Sequence, residues 1–148
     1  MSWVTNSFGE SLVTKDGVRP TEEVVAGKKL IGIYFSAHWC PPCRGFTPVL
    51  GEFYDMLKDE DGDALEIIFA SSDSDQGSFD DYFKSMPWTA IPFSASGIRQ
   101  ELGSKFSVRG IPSFIVLNAA DGSIKDSDGR STIAQARGDI SKAMSKWA

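Results

Sequence analysis

Two segments of the chain are almost wholly apolar, Leu30-Ile31-Gly32-Ile33-Tyr34-Phe35 and Leu65-Glu66-Ile67-Ile68-Phe69-Ala70. Short and rich in β-branched and aromatic types, they predict strands covered on both faces, not strands with one wet face. Between them Phe46, Val49, Leu50, Phe53 and Leu57 recur at helical spacing, while Glu52, Asp55 and Lys58 fall on the opposite side. Pro48 is expected to kink this helix, and Asp59 to Asp63 ends it. Strand, helix and strand make a βαβ unit with a right-handed crossover. The loop after the first strand then lies at the carboxyl end of the sheet, where such sheets bind ligands.

The flanking segments carry weaker patterns. Lys15-Asp16-Gly17 is a turn signal between Ser11-Leu12-Val13 and Val18, which predicts an N-terminal β-hairpin. Ser78 with Asp81 has the form of a capping box, opening a helix through Phe79, Tyr82 and Phe83 that stops before Pro87. Ile98, Leu102 and Phe106 share one face of a further short helix. Gly110-Ile111-Pro112-Ser113 leads into a strand at Phe114-Ile115-Val116-Leu117, and the turn Asn118 to Gly122 returns it as an antiparallel hairpin to Lys125. Proline is permitted at the start of a strand, and a cis bond before it would turn the Ile111 backbone toward the preceding loops. Ile140, Ala143, Met144 and Trp147 lie on one face of a C-terminal helix. The order of elements predicts an α/β protein with a central mixed sheet flanked by helices.

With 148 residues, 41% of them hydrophobic, the chain supports one core and is read as a single domain over 1–148. A net charge of −5 removes the basic patch that nucleic acid or an anionic membrane would require, so the expected partners are proteins. Residues 1–10 contain no basic segment followed by an apolar one, and no apolar run approaches a membrane span. These features predict a cytoplasmic protein, read as a monomer.

The chain's two cysteines, Cys40 and Cys43, stand in Trp39-Cys40-Pro41-Pro42-Cys43-Arg44, where the first strand gives way to the helix. A thiolate at a helix start is stabilised by the macrodipole and by amides with no intrahelical partner. Pro41 and Pro42 supply no N–H, so the amides of Cys43 and Arg44 are the ones left to face the Cys40 sulfur, and Arg44 adds a positive charge. Two alternatives compete with redox chemistry. Paired cysteines can be inert packing, or half of a zinc site; the latter needs about four ligands, and the single histidine, His38, is too near Cys40 in the chain to complete one. A Cys-x-x-C at a strand-to-helix junction reads as a redox pair. In a reducing compartment it cycles between dithiol and disulfide and needs no cofactor or metal beyond its own sulfurs.

Several stretches together resemble the thioredoxin superfamily, and within it the tryparedoxin and nucleoredoxin branch. They are Tyr34 to Arg44, Phe46-Thr47-Pro48, Met86-Pro87-Trp88, Ile91-Pro92-Phe93 and Gly110-Ile111-Pro112, and the likeness spans Leu12 to Lys125. The resemblance implies a thioredoxin-like fold and a protein-disulfide reductase with Cys40 as nucleophile and Cys43 as resolving thiol. It implies a cis Ile111-Pro112 bond facing Cys40, and a docking surface made by Trp39, Pro41, Ile111 and Pro112. The expected partners are protein disulfides, a peroxiredoxin's among them, with glutathione, trypanothione or a thioredoxin reductase as the upstream reductant. A redox-dependent binding regulator of nucleoredoxin type is the alternative. Trp39 and Trp88 fit equally well as packing beneath the motif or as an apolar rim for partners. His38, which resembles nucleoredoxins, reads as an exposed loop residue. The chain departs from thioredoxins where Tyr34 replaces their buried acid, and from tryparedoxins at Ser72-Asp73-Ser74-Asp75. With no acid at Tyr34, Asp73 and Asp75 are the carboxylates that the topology brings nearest to Cys43, against the plainer reading as solvated loop charges.

Overall fold

The computed structural model describes residues 2–148. In chain order the elements are α1 (Ser2–Phe8), β1 (Ser11–Thr14), β2 (Gly17–Pro20), α2 (Thr21–Val25), β3 (Leu30–Ser36), α3 (Pro41–Glu60), β4 (Leu65–Ser71), α4 (Gln76–Phe83), β5 (Thr89–Ala90), α5 (Ser96–Lys105), β6 (Ser113–Asn118), β7 (Ile124–Asp126), α6 (Gly129–Ala136) and α7 (Ile140–Trp147). Among the described residues seven strands join one sheet in the order β2-β1-β5-β4-β3-β6-β7. β3 runs parallel to β4 and antiparallel to β6, so the sheet is mixed, with the N-terminal hairpin at one edge.

Every residue of β3 and of β4 is buried. The two-residue alternation of a strand sends Leu30, Tyr34, Leu65, Ile67 and Phe69 into the layer formed with α3, α4, α6 and α7. Ile31, Ile33, Phe35, Ile68 and Ala70 go to the opposite layer, with Val4 and Phe8 of α1, Val25 of α2 and Leu102 of α5. Gly32 falls on the first face by the same alternation, and Phe114 of β6 occupies the space beside it. A Cβ at Gly32 would stand 2.5 Å from the Phe114 ring, and one at Gly129 of α6 would stand 2.6 Å from the same ring. Two glycines therefore let one phenylalanine lock β3, β6 and α6 together.

Where the structure departs from the sequence pattern, the reasons are local. α4 starts at Gln76, not at Ser78, because Asp75 is its N-cap and accepts from the Ser78 amide at 2.7 Å. α3 holds Pro48 within it, at the position read from the sequence. α1, α2, β5 and α6 are additional elements that the sequence pattern did not show. α6 and α7 are tied to the sheet edge by the buried Asp126, which accepts hydrogen bonds from the Trp147 indole at 2.8 Å, the Thr132 hydroxyl and the Asp128 amide at 3.0 Å. Burial pushes the Asp126 carboxyl up, but these hydrogen bonds outweigh it and hold the group below the ordinary carboxylate range.

A folded pKa below the unfolded one means that Asp126 stabilises the fold above the ordinary carboxylate range and loses that contribution as pH falls through it. Asp126→Asn is expected to lower stability in urea at neutral pH by about 1–3 kcal/mol, the scale of hydrogen bonds to a charged group. The gap between parent and variant should narrow on acidification; a constant gap at all pH values would show that the charge contributes nothing.

Candidate active site

β3 ends at the buried Ser36, and Ala37-His38-Trp39 carries the chain to Cys40, the N-cap of α3. Prolines fill the first two helical positions, so Cys43 is the first residue of the turn with an amide, and that amide donates to the Cys40 sulfur at 3.3 Å. The Arg44 amide takes the Cys40 carbonyl at 3.1 Å. The cap is thus a sulfur where most helices use an oxygen, which ties the position of the thiol to the start of the helix.

Both cysteines are free thiols. Cys43 is sealed from solvent, while Cys40 is 5% exposed, less than its place at a loop end would suggest. The cover comes from the loop before β6: Ile111 packs on the pair, and the Cys40 thiol points to the Ile111 carbonyl at 3.9 Å. The Ile111-Pro112 peptide is cis, and Pro112 is buried.

The carboxylates of the loop after β4 part company. Asp75 turns away to cap α4 and is exposed. Asp73 is 6% exposed and is no solvated charge: it accepts from the His38 amide at 2.8 Å and from the Ser71 hydroxyl at 2.8 Å. Its work is to brace the loop that delivers Cys40. Next to it the Ser72 carbonyl accepts from the Trp39 indole at 3.1 Å, which fixes a ring that is otherwise 61% exposed. The two candidate rim tryptophans therefore separate. Trp39 stands at the surface beside exposed Pro41, whereas Trp88 is core, edge-on to Tyr34 at 5.8 Å and to Tyr54 at 5.7 Å. His38 is half-buried, with its ring stacked on Tyr82 at 5.2 Å. Arg44 is exposed and lines a cavity of about 250 Å³ with His38, Thr47, Pro48, Tyr82 and Ser85.

Burial is the main influence on the Cys43 thiol and pushes it up to about 11; contact with Cys40 adds to the rise, and the Ser36 hydroxyl and the Ala37 amide oppose it. Tyr34 is fully buried, and burial raises its phenol far above the ordinary range, so it takes no proton at neutral pH. The sequence pattern missed what surrounds it. Tyr34, Thr47 and Tyr82 form a chain of hydroxyls with Ser36: Ser36 to Tyr82, Tyr82 to Thr47 and Thr47 to Tyr34 are each 2.6 Å. Thr47 lies four residues after Cys43, one helical turn, and that spacing was the available signal; its hydroxyl donates to the Cys43 carbonyl at 2.9 Å. Among the described residues no cluster of three or more His, Cys, Asp or Glu gathers that could hold a metal ion.

Comparison with known proteins gives a consistent family. A thioredoxin-like family model matches residues 27–124. A probable nucleoredoxin of Arabidopsis thaliana is 44% identical over 117 residues, covering 79% of this chain and 20% of that protein. The chain therefore spans about a fifth of that relative's length. Tryparedoxin of Trypanosoma brucei brucei is 40% identical over 125 residues, covering 84% of both chains. Among solved structures, tryparedoxin II complexed with glutathionylspermidine superposes with a TM-score of 0.80 at 30% identity, covering 86% of this chain and 87% of that one.

The unequal surroundings of the two thiols predict an order of reaction. Iodoacetamide at neutral pH should modify a single thiol of the reduced, folded protein, Cys40, with Cys43 following only on unfolding or in strong alkali. Peptide mapping of the alkylated protein decides it, and labelling of Cys43 first would reverse the roles.

Proposed function

Since the chain belongs to the thioredoxin-like family, we propose that it is a thiol–disulfide oxidoreductase that reduces protein disulfides through Cys40 and Cys43. The observation that carries this reading is the pairing of two free thiols within one helical turn, the first held by a backbone amide and the second sealed beneath it. The Cys40 thiolate attacks one sulfur of a partner disulfide and the other sulfur leaves as a thiol. Cys43 then attacks Cys40 in the mixed disulfide, the partner's second thiol departs, and the chain keeps the oxidised Cys40-Cys43 pair. Two electrons and two protons reach the partner with no cofactor involved.

Docking falls to the surface around the motif. The exposed Trp39 ring and Pro41 offer an apolar rim, and the Ile111 backbone ahead of Pro112 lies within reach of whatever is bound to Cys40. A peroxiredoxin disulfide is one protein substrate of the required chemistry. For the return step we favour a glutathione-type thiol over a reductase protein: the tryparedoxin II structure holds such a compound, glutathionylspermidine. Its cationic polyamine suits a chain of net charge −5. A cycling dithiol suits a reducing compartment such as the cytosol; among the described residues no helix is long and apolar enough to cross a membrane. The match to a nucleoredoxin supports a second reading, a regulator that holds a partner at the same surface and releases it on oxidation.

Cysteine substitutions separate the two readings. With a protein disulfide and a thiol reductant supplied in excess, Cys40→Ser should abolish turnover; with the protein disulfide alone, reduced Cys43→Ser should accumulate a mixed disulfide with the substrate, visible as a mass increase on a non-reducing gel. Full turnover by Cys40→Ser would overturn the exchange mechanism. A stoichiometric complex that survives Cys40→Ser, with no turnover by the parent, would favour the regulator.

A further inference from the structure

The turn that grips the motif loop is itself held from behind. Ser71, Ser72 and Asp73 follow one another at the end of β4, and the last two bind the segment that delivers Cys40. The Asp73 carboxylate accepts from the His38 amide at 2.8 Å, and the Ser72 carbonyl accepts from the Trp39 indole at 3.1 Å. The Ser72 amide donates to the Ser36 carbonyl at 2.9 Å. Ser71, 3% exposed, donates its hydroxyl to the Asp73 carboxylate at 2.8 Å and accepts from the Asp73 amide at 2.9 Å.

On the other edge of β4 the sheet runs out. β5 is two residues long and pairs with β4 at Ile68 and Phe69, after which the Ile91 amide takes the Phe69 carbonyl at 2.9 Å. Carbonyls two residues apart on a strand face the same edge, so the Ser71 carbonyl is the next to need a donor there. No strand supplies one, because a turn closed by the Ala95 amide on the Pro92 carbonyl at 2.9 Å carries the chain away. The half-buried Arg99 of α5 fills the place. Its Nη1 donates to the Ser71 carbonyl at 2.6 Å and its Nη2 to the Phe93 carbonyl at 2.8 Å, with the guanidinium 4.7 Å from the centre of the Phe93 ring. A planar guanidinium holds two carbonyls in one fixed fork, which an ammonium does not. Arg99 and Asp73 also line a common cavity of about 300 Å³, so the cation and the buried carboxylate share one enclosure.

We propose that Arg99 is a positioning residue of the exchange reaction: by continuing the sheet one step past β5 it fixes the turn of Ser71 to Asp73, and through that turn the His38-Trp39 loop that places the Cys40 sulfur and the docking ring. This rests on the exchange mechanism above. Arg99 itself touches neither the sulfur nor the docking ring. Three hydrogen bonds in series link it to the loop, Arg99 to Ser71, Ser71 to Asp73 and Asp73 to the His38 amide. A methionine at position 99 fills the apolar part of the space but leaves the buried Ser71 carbonyl without its donor. The turn then gains by moving toward water, and it takes His38 and Trp39 with it.

Insulin reduction with dithiothreitol as the thiol source tests the role, under conditions where urea unfolding shows each variant to be folded. In Arg99→Met kcat/KM should fall by about fivefold to fiftyfold, within the range that a small misplacement of reacting groups produces. Arg99→Lys keeps a cation and one of the two bonds; it should recover to about threefold below the parent, and it keeps the proposal falsifiable if Arg99→Met fails to fold. Hydrogen exchange followed by NMR gives a readout that a general loss of stability does not move. In both variants the His38 amide should exchange at least about fivefold faster than the change at the Ile33 amide in β3 accounts for. In an Asp73→Ala background, where the last bond of the series is already gone, Arg99→Met should cost kcat/KM less than about half the factor it costs in the parent. Turnover within about twofold of the parent in the variants that fold would overturn the positioning role, and so would His38 exchange that rises no more than that of Ile33. An equal loss in both backgrounds would also overturn it, leaving Arg99 as a residue of the fold alone. A parent that does not reduce insulin would overturn the exchange mechanism, and the positioning role with it.

Discussion

One hydrogen bond sets the geometry on which the site depends, that from the Cys43 amide to the Cys40 sulfur at 3.3 Å. A helix start leaves amides without partners, and here the prolines at its first two positions remove two of them and leave the third for the thiol. The sulfur is held by the same contact that begins α3. Its position is therefore as rigid as the helix, and the helix is as rigid as its packing: Phe46, Leu50, Phe53 and Leu57 are all buried against the sheet. The amide that begins the helix is also the one that orients the sulfur, so the fold and the geometry of the site use one interaction.

The loop that presents this cap is held from two sides by groups of the chain's own backbone-binding chemistry. Asp73 takes the His38 amide, and the Ser72 carbonyl takes the Trp39 indole, so the end of β4 clamps the end of β3. Across the sulfur, the loop carrying Ile111 and Pro112 closes the other side. Three strand ends that are neighbours in the sheet thus converge on one atom. A parallel β3–β4 pair puts two of those ends on the same edge, and the antiparallel β6 begins there.

Much of this arrangement was legible in the sequence because the decisive signals are local. The apolar runs of β3 and β4, the helical period after Cys43 and the spacing of the cysteines each fix an element or a junction within a dozen residues. What was not legible is made by long-range contact. α1 is only seven residues long, and α6 buries Gly129 and the polar Thr132 beside Ile133 and Ala136, so no apolar period emerges; α6 is held through Asp126, whose partners Thr132 and Trp147 are up to 21 residues away. The capping signal at Ser78 was displaced because Asp75, three residues earlier, offers the same hydrogen bond with a stronger acceptor. Asp73 stands beside the motif loop through its bond to the His38 amide, a partner that could not be known without the loop that covers it. The hydroxyl of Tyr82 lies 46 residues from Ser36 in sequence and meets it only because α4 packs on β3's face.

The replacement of a buried acid by Tyr34 then has a physical sense. Tyr34 lies in the middle of a sheet covered on both faces, with no solvent exposure, where an ionised carboxylate would be desolvated at large cost unless paired. A phenol at the same place packs against Phe46, Phe69 and Trp88 and keeps its one polar atom satisfied through Thr47. The position contributes to the core and asks nothing of solvent. That hydroxyl also meets Thr47, and Thr47 meets Tyr82, so Tyr34 stands at one end of the line of hydroxyls that runs to Ser36. These paired neutral hydroxyls keep the layer beneath the motif free of a permanent buried charge, so the cost of burying an ion does not weigh on the sheet that carries the cysteines.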